Sequence, residues 1–181
     1  NAMNMDDWTV TVNETLCAGL GDFVWNDLNA DGIQDDGEPG IEGLEVNLLD
    51  ENGNEIATTT TDENGYYEFV DLVPGTYFVE FVATDGDQFS APNQTDETND
   101  SDVETQTSVT PGIIFGQTGA IVLEPGDFDD TNDAGIYTPA TIGDYVWEDY
   151  NGDGQQDDDE VGVEDVTVNL LDENGDVIQT T

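Results

Sequence analysis

The sequence contains no lysine, no arginine and no histidine. Its charge is therefore of one sign: 44 aspartates and glutamates in 181 residues, for a formal net charge of -44. With no cation to neutralise phosphate, nucleic acid is excluded as a partner, and so is contact of this fragment with an anionic membrane. Most nucleophile–base pairs and phosphate clamps are also missing. Paired carboxylates can hydrolyse glycosides. In so acidic a chain, however, some pair always falls at a suitable distance, and the sequence reads as that of a non-enzyme. The one cysteine, Cys17, excludes an intrachain disulfide and reads as a small buried apolar residue. No apolar run is long enough to cross a bilayer, and no signal peptide is visible. No segment keeps a helical period.

What is present must overcome that charge. Like charges repel one another and oppose compaction, so bound divalent ions or high salt are needed to offset them. Charge alone would favour disorder, but alternating apolar runs and three tryptophans argue for a packed core.

The stretch that stands out is Asp27–Glu38, D-L-N-A-D-G-I-Q-D-D-G-E. It fits the calcium-loop pattern D-x-[DN]-x-[DN]-G-x5-E. Ca²⁺ takes six to eight oxygen ligands, and this spacing supplies them in order. Asp27, Asn29 and Asp31 offer side-chain oxygens, Gly32 allows the sharp turn, and Ile33 offers its backbone carbonyl. Asp35 ligates directly or through water, and Glu38 closes the shell with both oxygens. The pattern returns at Asp149–Glu160, with Asp149, Asn151, Asp153, Gln155 (by its carbonyl), Asp157 and Glu160 in the same places. An acidic surface turn is the plainer reading, and two matches at every ligand position disfavour it.

Along the chain, Asn1-Ala2-Met3 reads as a cloning remnant, so the sequence is expected to begin inside a longer protein. Residues 1–18 form an N-terminal segment holding an alternating run, Trp8–Val12, read as an edge strand. Strands are predicted at Gly21–Trp25, Leu44–Leu49, Ile56–Thr61, Tyr66–Phe69 and Thr76–Phe81. Asn52-Gly53 and Asn64-Gly65 read as hairpin turns, the first of type I′. Residues 83–118 are poor in apolar residues and read as a long loop carrying an acidic cluster, Asp96–Asp102. Gly119–Leu123 and Ala134–Tyr137 close the set of strands, with a third acidic patch, Asp127–Asp133, between them. Sequons stand at Asn13, Asn93 and Asn99, and their use depends on the host.

At Gly143 the sequence begins again. Gly143–Thr181 aligns without a gap on Gly21–Thr59, with about two thirds of positions identical. Residues 19–138 therefore read as one complete repeat and residues 139–181 as the first part of a second. The predicted architecture is an all-β antiparallel sandwich in tandem repeats. The partial repeat lacks the later strands, so open edges and apolar faces are expected there, completed by the rest of a repeat or by a strand from another chain.

Several stretches carry a family resemblance: G-D-F-V-W-N-D-L-N-A-D-G-I-Q-D, V-N-L-L-D-E-N-G, T-D-E-N-G-Y-Y-E-F, P-G-T-Y-F-V-E-F, D-S-D and D-A-G-I-Y. In this order they resemble the B-repeat domains of bacterial serine-aspartate-repeat surface adhesins. The resemblance covers residues 20–138 and 141–181. It implies Ig-like sandwiches with a prealbumin-like or collagen-adhesin-B-like topology, stacked as a calcium-stiffened stalk outside the cell. It also implies further calcium ligands in the later acidic motifs, here Asp100, Asp102 and Asp133, with Asp96 as a weaker candidate. The chain departs from the family in having no serine-aspartate tract, sorting motif or ligand-binding head, and no lysine for an isopeptide crosslink.

The expected function is thus that of a calcium-stabilised extracellular repeat of a surface protein. Its expected partners are calcium ions and neighbouring repeats, with self-assembly by strand donation as a further mode. The alternatives are a carbohydrate- or protein-binding module and a low-affinity calcium or mineral-binding matrix protein. Trp25 and Trp147 fall in strand patterns, where core packing is expected rather than ligand contact.

Overall fold

The computed structural model describes residues 17–84, 86–95 and 99–181, so the run Trp8–Val12, the sequon at Asn13 and the candidate ligand Asp96 lie outside the described residues. Contacts divide the chain into two units, Asn1–Pro139 and Ala140–Thr181. The described residues form strands and turns and no helix.

The first unit is a β-sandwich. Its strands are β1 (Ala18–Leu20), β2 (Val24–Asn26), β3 (Glu45–Asp50), β4 (Glu55–Thr60), β5 (Phe69–Leu72), β6 (Gly75–Thr84), β7 (Gln88–Phe89), β8 (Val103–Thr110), β9 (Ile113–Thr118), β10 (Ile121–Leu123), β11 (Phe128–Asp129) and β12 (Ala134–Tyr137). One layer is the antiparallel sheet β4-β3-β6-β9-β8, with β10 joined to β6. The other consists of two small sheets, β11-β1-β5 and β2-β12-β7. Strict alternation builds the core between them. Val46 and Leu48 of β3, Tyr77, Val79, Phe81 and Ala83 of β6, and Ile114 of β9 point inward to meet Leu20, Val24, Phe69, Phe89, Ala134 and Ile136. The Tyr67 and Phe81 rings meet edge-on at its centre, 5.5 Å apart.

Two pairings in the small sheets are parallel rather than antiparallel: β1 with β11, and β2 with β12. They set the first and last strands of the unit side by side.

The long loop expected over residues 83–118 is not one. It contains the end of β6, then β7, β8 and β9. These strands are poor in apolar residues because β8 lies at a sheet edge and is largely exposed, while β9 alternates inward Ile114, Gly116 and Thr118 with half-buried residues. Gly116 is there for space: a Cβ on it would come within 2.6 Å of the Phe89 ring. Gly116→Val should therefore force that ring out of place and cost about 1–3 kcal/mol, the range for overpacked cores. Urea unfolding of the variant against the parent checks this.

Three other expectations shift. Tyr66 forms only an isolated bridge with Phe23, and β5 starts at Phe69. The turn at Asn52-Gly53 is not type I′, since Gly53 has positive φ and Asn52 does not. A carboxylate replaces the I′ geometry. Asp50 Oδ1 accepts the N–H groups of Asn52 and Asn54, and the Asp50 carbonyl accepts that of Gly53. Asp62 does the same with Asn64, Tyr66 and Gly65, and Asp172 with Asn174, Asp176 and Gly175. These bonds hold all three carboxyls below the usual carboxylate range. The leading partners are the Asn54 side chain, the Asn64 N–H and the Asp176 N–H respectively. Cys17 is exposed rather than buried, because it stands before β1 begins.

In the second unit, β13 (Asn169–Leu171) pairs with β14 (Val177–Thr180). Its register, Asn169 on Thr180 and Leu170 on Gln179, repeats that of Asn47 on Thr58 and Leu48 on Ala57. Val166, Val168 and Leu170 are exposed here, whereas their counterparts Leu44, Val46 and Leu48 are buried.

Candidate metal centres

Strand β2 runs directly into Asp27, whose N–H donates to the Ile136 carbonyl of β12. Asp27 is buried, with 1% of its surface accessible. Its Oδ1 accepts the N–H groups of Ala30 at 2.6 Å and Asp31 at 3.3 Å, and its Oδ2 accepts that of Gly32 at 2.8 Å. A second bond to Oδ2 comes from far along the chain, the hydroxyl of Ser90 at 2.6 Å. The loop then folds on itself. Asn29 Nδ2 donates to Asp31 at 2.9 Å and to Asp35 at 3.2 Å, and Asp31 Oδ1 accepts the Ile33 N–H. Glu38 reaches back with both oxygens, Oε1 to the Leu28 N–H at 2.7 Å and Oε2 to the Asp35 N–H at 3.0 Å. Gly32 has φ +80, and a Cβ there would lie 2.4 Å from the Ala91 carbonyl.

The loop at Asp149 reproduces most of these bonds. Asp149 accepts from Gly152 and Gly154, Asn151 donates to Asp157, Asp153 accepts from Gln155, and Glu160 accepts from Tyr150 and Asp157. The two loops differ in what surrounds them. Ile33 forms a bridge with Asp100, the Gln34 N–H donates to the Asn99 carbonyl, and the Ser101 N–H donates to the Gly32 carbonyl. These contacts lay residues 99–101 across the first loop. Asp100 is buried there, its Oδ2 accepting the Thr95 N–H.

A second centre lies at the opposite end of the β2–β12 pair. Asp133, just before β12, has 1% accessible surface. Its Oδ1 accepts the Phe23 N–H at 3.0 Å, and its Oδ2 is buried with no hydrogen-bond partner. Asp102 Oδ2 accepts the Asp133 N–H, and the Asp102 N–H donates to the Asp133 carbonyl. Asp22, also buried, completes the group. Burial, followed by the charge of Asp22, pushes Asp133 up to about 9, and burial above all pushes Asp22 up to about 7. Tyr67, fully buried, donates its hydroxyl to the Asn132 carbonyl beside them.

Of the residues singled out in the sequence, each loop set is therefore brought together, Asp102 joins Asp133, and Asp100 lies against the first loop. Asp22 and Ser90 were not among them. Asp22 had a signal, because it stands in an apolar run and returns as Asp144 in the second repeat. Ser90 had none, lying 63 residues from its partner.

The donors at both centres are oxygens only, which suits a hard cation such as Ca²⁺. Among the described residues no three acidic side chains are already gathered as an ion cage; the loop carboxylates are turned onto backbone N–H groups instead. The partnerless Asp133 Oδ2 and the raised pair around it are what a divalent ion would satisfy.

A family model, described as the SdrD B-like domain, matches residues 18–136 and 140–181. The chain belongs to that family. Among its relatives, serine-aspartate repeat-containing protein F of Staphylococcus epidermidis is 45% identical over 186 residues, covering 96% of this chain and 11% of the relative. Serine-aspartate repeat-containing protein D of Staphylococcus aureus (strain Newman) is 46% identical over 166 residues, covering 90% of this chain and 12% of the relative. The chain thus spans about a tenth of the curated relatives it matches. A solved structure, the minor pilin GBS52 of Streptococcus agalactiae, matches with a TM-score of 0.44 at 12% identity, over 72% of this chain and 48% of that one. Both candidate loops, and Asp22, Asp102 and Asp133, fall inside the SdrD B-like match.

Proposed function

We propose that this chain is a calcium-stabilised structural repeat, a stalk or fibre module of a surface adhesin-like protein outside the cell. Residues 19–138 would form one complete module, and 139–181 the start of the next. The observation that carries the reading is the duplication of the loop: twelve-residue acidic stretches in both units, with ligand oxygens at the same positions and the same internal hydrogen bonds. Membership of the SdrD B-like family and the names of its relatives support the surface role. In the first loop the ligands would be Asp27, Asn29, Asp31, the Ile33 carbonyl, Asp35 and Glu38. The second loop would use the matching set from Asp149 to Glu160. Asp22, Asp102 and Asp133 would hold a further ion. Bound calcium supplies positive charge; the chain's own residues supply the oxygens and the rigid strands that carry them.

Calorimetry with Ca²⁺ tests the reading. The parent should show a few saturable sites, and Asp27→Ala and Asp149→Ala should each remove one. Many weak sites, or unchanged stoichiometry in both variants, would replace this reading with bulk calcium buffering.

A further inference from the structure

We infer that Ser90 is the positioning residue of the first loop: its hydroxyl orients the Asp27 carboxylate and so tightens that loop's grip on a divalent cation. This rests on the calcium reading above. Ser90 Oγ donates to Asp27 Oδ2 at 2.6 Å, and both residues are almost wholly buried. The two are held against the same strand. The Ser90 N–H donates to the Gly135 carbonyl of β12 at 2.9 Å, and the Asp27 N–H donates to the Ile136 carbonyl at 2.9 Å. The hydroxyl therefore has little freedom to leave. There is no slack behind it either, since a Cβ on Gly135 would lie 3.0 Å from Ser90 Oγ.

Of the hydrogen bonds that Asp27 accepts through its side chain, those from Ala30, Asp31 and Gly32 come from the loop itself, and the fourth comes from Ser90. Asp149 accepts from Gly152 and Gly154, both within its own loop. The Ser90 hydroxyl is thus the donor that reaches Asp27 from outside its own loop. A ligating carboxylate must present a lone pair to the ion while its other oxygen is held. A donor outside the coordination shell fixes that orientation in advance, and removing such a partner typically costs about 10–100-fold in metal affinity.

The test is Ca²⁺ titration calorimetry on the full chain, with Asp149→Ala reporting the first loop and Asp27→Ala the second. Ser90→Ala should lower the affinity of the first loop by about 10–100-fold and leave the second unchanged. Ser90→Cys, which keeps the shape and weakens the donor, should behave like the alanine variant, separating the lost hydrogen bond from lost packing. Near-ultraviolet circular dichroism in chelator checks that each variant keeps the parental fold. Parental affinity in either Ser90 variant overturns the assignment while leaving the calcium reading intact. An absence of saturable binding in the parent overturns the calcium reading and this inference with it.

Discussion

Chelating calcium at low ionic strength should lower the melting temperature by tens of degrees or abolish the transition, with excess Ca²⁺ restoring it and molar NaCl restoring only part. The folded first unit gathers carboxylates at Asp27–Glu38 and again at Asp22, Asp102 and Asp133, in a chain with no lysine, arginine or histidine to offset them. Each ion cancels two charges where they are most crowded, and the unfolded chain, with its ligands dispersed, binds weakly. A site filled to a thousand times its dissociation constant stabilises the fold by about 4 kcal/mol. Two or three such sites contribute about 8–12 kcal/mol, as much as the whole stability of many domains. Salt screens the general repulsion but supplies no ligand shell, which is why its rescue is partial. A melt followed by tryptophan fluorescence, with and without chelator, checks this; superimposed curves at low salt would remove calcium from the account of the fold.

Substituting Asp133 should have opposite effects with and without the ion. In chelator, Asp133→Asn should raise the melting temperature at pH 8, because it removes a buried carboxyl that must be desolvated while the amide oxygen can still accept the Phe23 N–H. In saturating Ca²⁺ the same variant should melt below the parent, having lost a charged ligand. The pH dependence in chelator has a matching sign. Asp22 and Asp133 are raised to about 7 and about 9 in the folded chain, against 3.8 for the free side chain. Between these limits the folded state holds more protons than the unfolded one, so stability falls as pH rises. Their full contribution is present below about pH 4 and is lost as pH climbs through 7 and 9. The chelated parent should therefore melt higher at pH 5 than at pH 8, and Asp133→Asn should flatten that slope. A chelated parent that is more stable at pH 8 would contradict the assignment. The depressed carboxyls at Asp50, Asp62 and Asp172 act in the other direction, but only below the ordinary carboxylate range.

What could be read from the sequence was what is local in it. The loop from Asp27 to Glu38 is closed by bonds spanning at most 10 residues, so spacing alone describes it. The inward faces of β3 and β6 follow from alternation. Residues 83–118 were misread because β8 is a threonine-rich edge strand whose pairing with β9, not its apolar content, makes it a strand. Ser90 escaped for a related reason. Its role arises where β12 pairs with both β2 and β7 and so brings together residues far apart in the chain, a juxtaposition that no local pattern encodes.

Those parallel pairs also determine how the first unit responds to tension. In a parallel pair, pulling one strand by its N-terminal end and the other by its C-terminal end slides them along each other. A force applied across residues 17 and 138 acts in this way on β1 against β11 and on β2 against β12. The bonds from Gly19 and Gly21 to Asp127 and Asp129, from Ala134 to Phe23 and from Asp27 to Ile136 then bear the load together, rather than parting one by one as in an unzipping hairpin. Asp133 precedes the β12 end of that seam and Asp27 follows its β2 end, so a cation at either centre would rivet an end from which sliding has to begin.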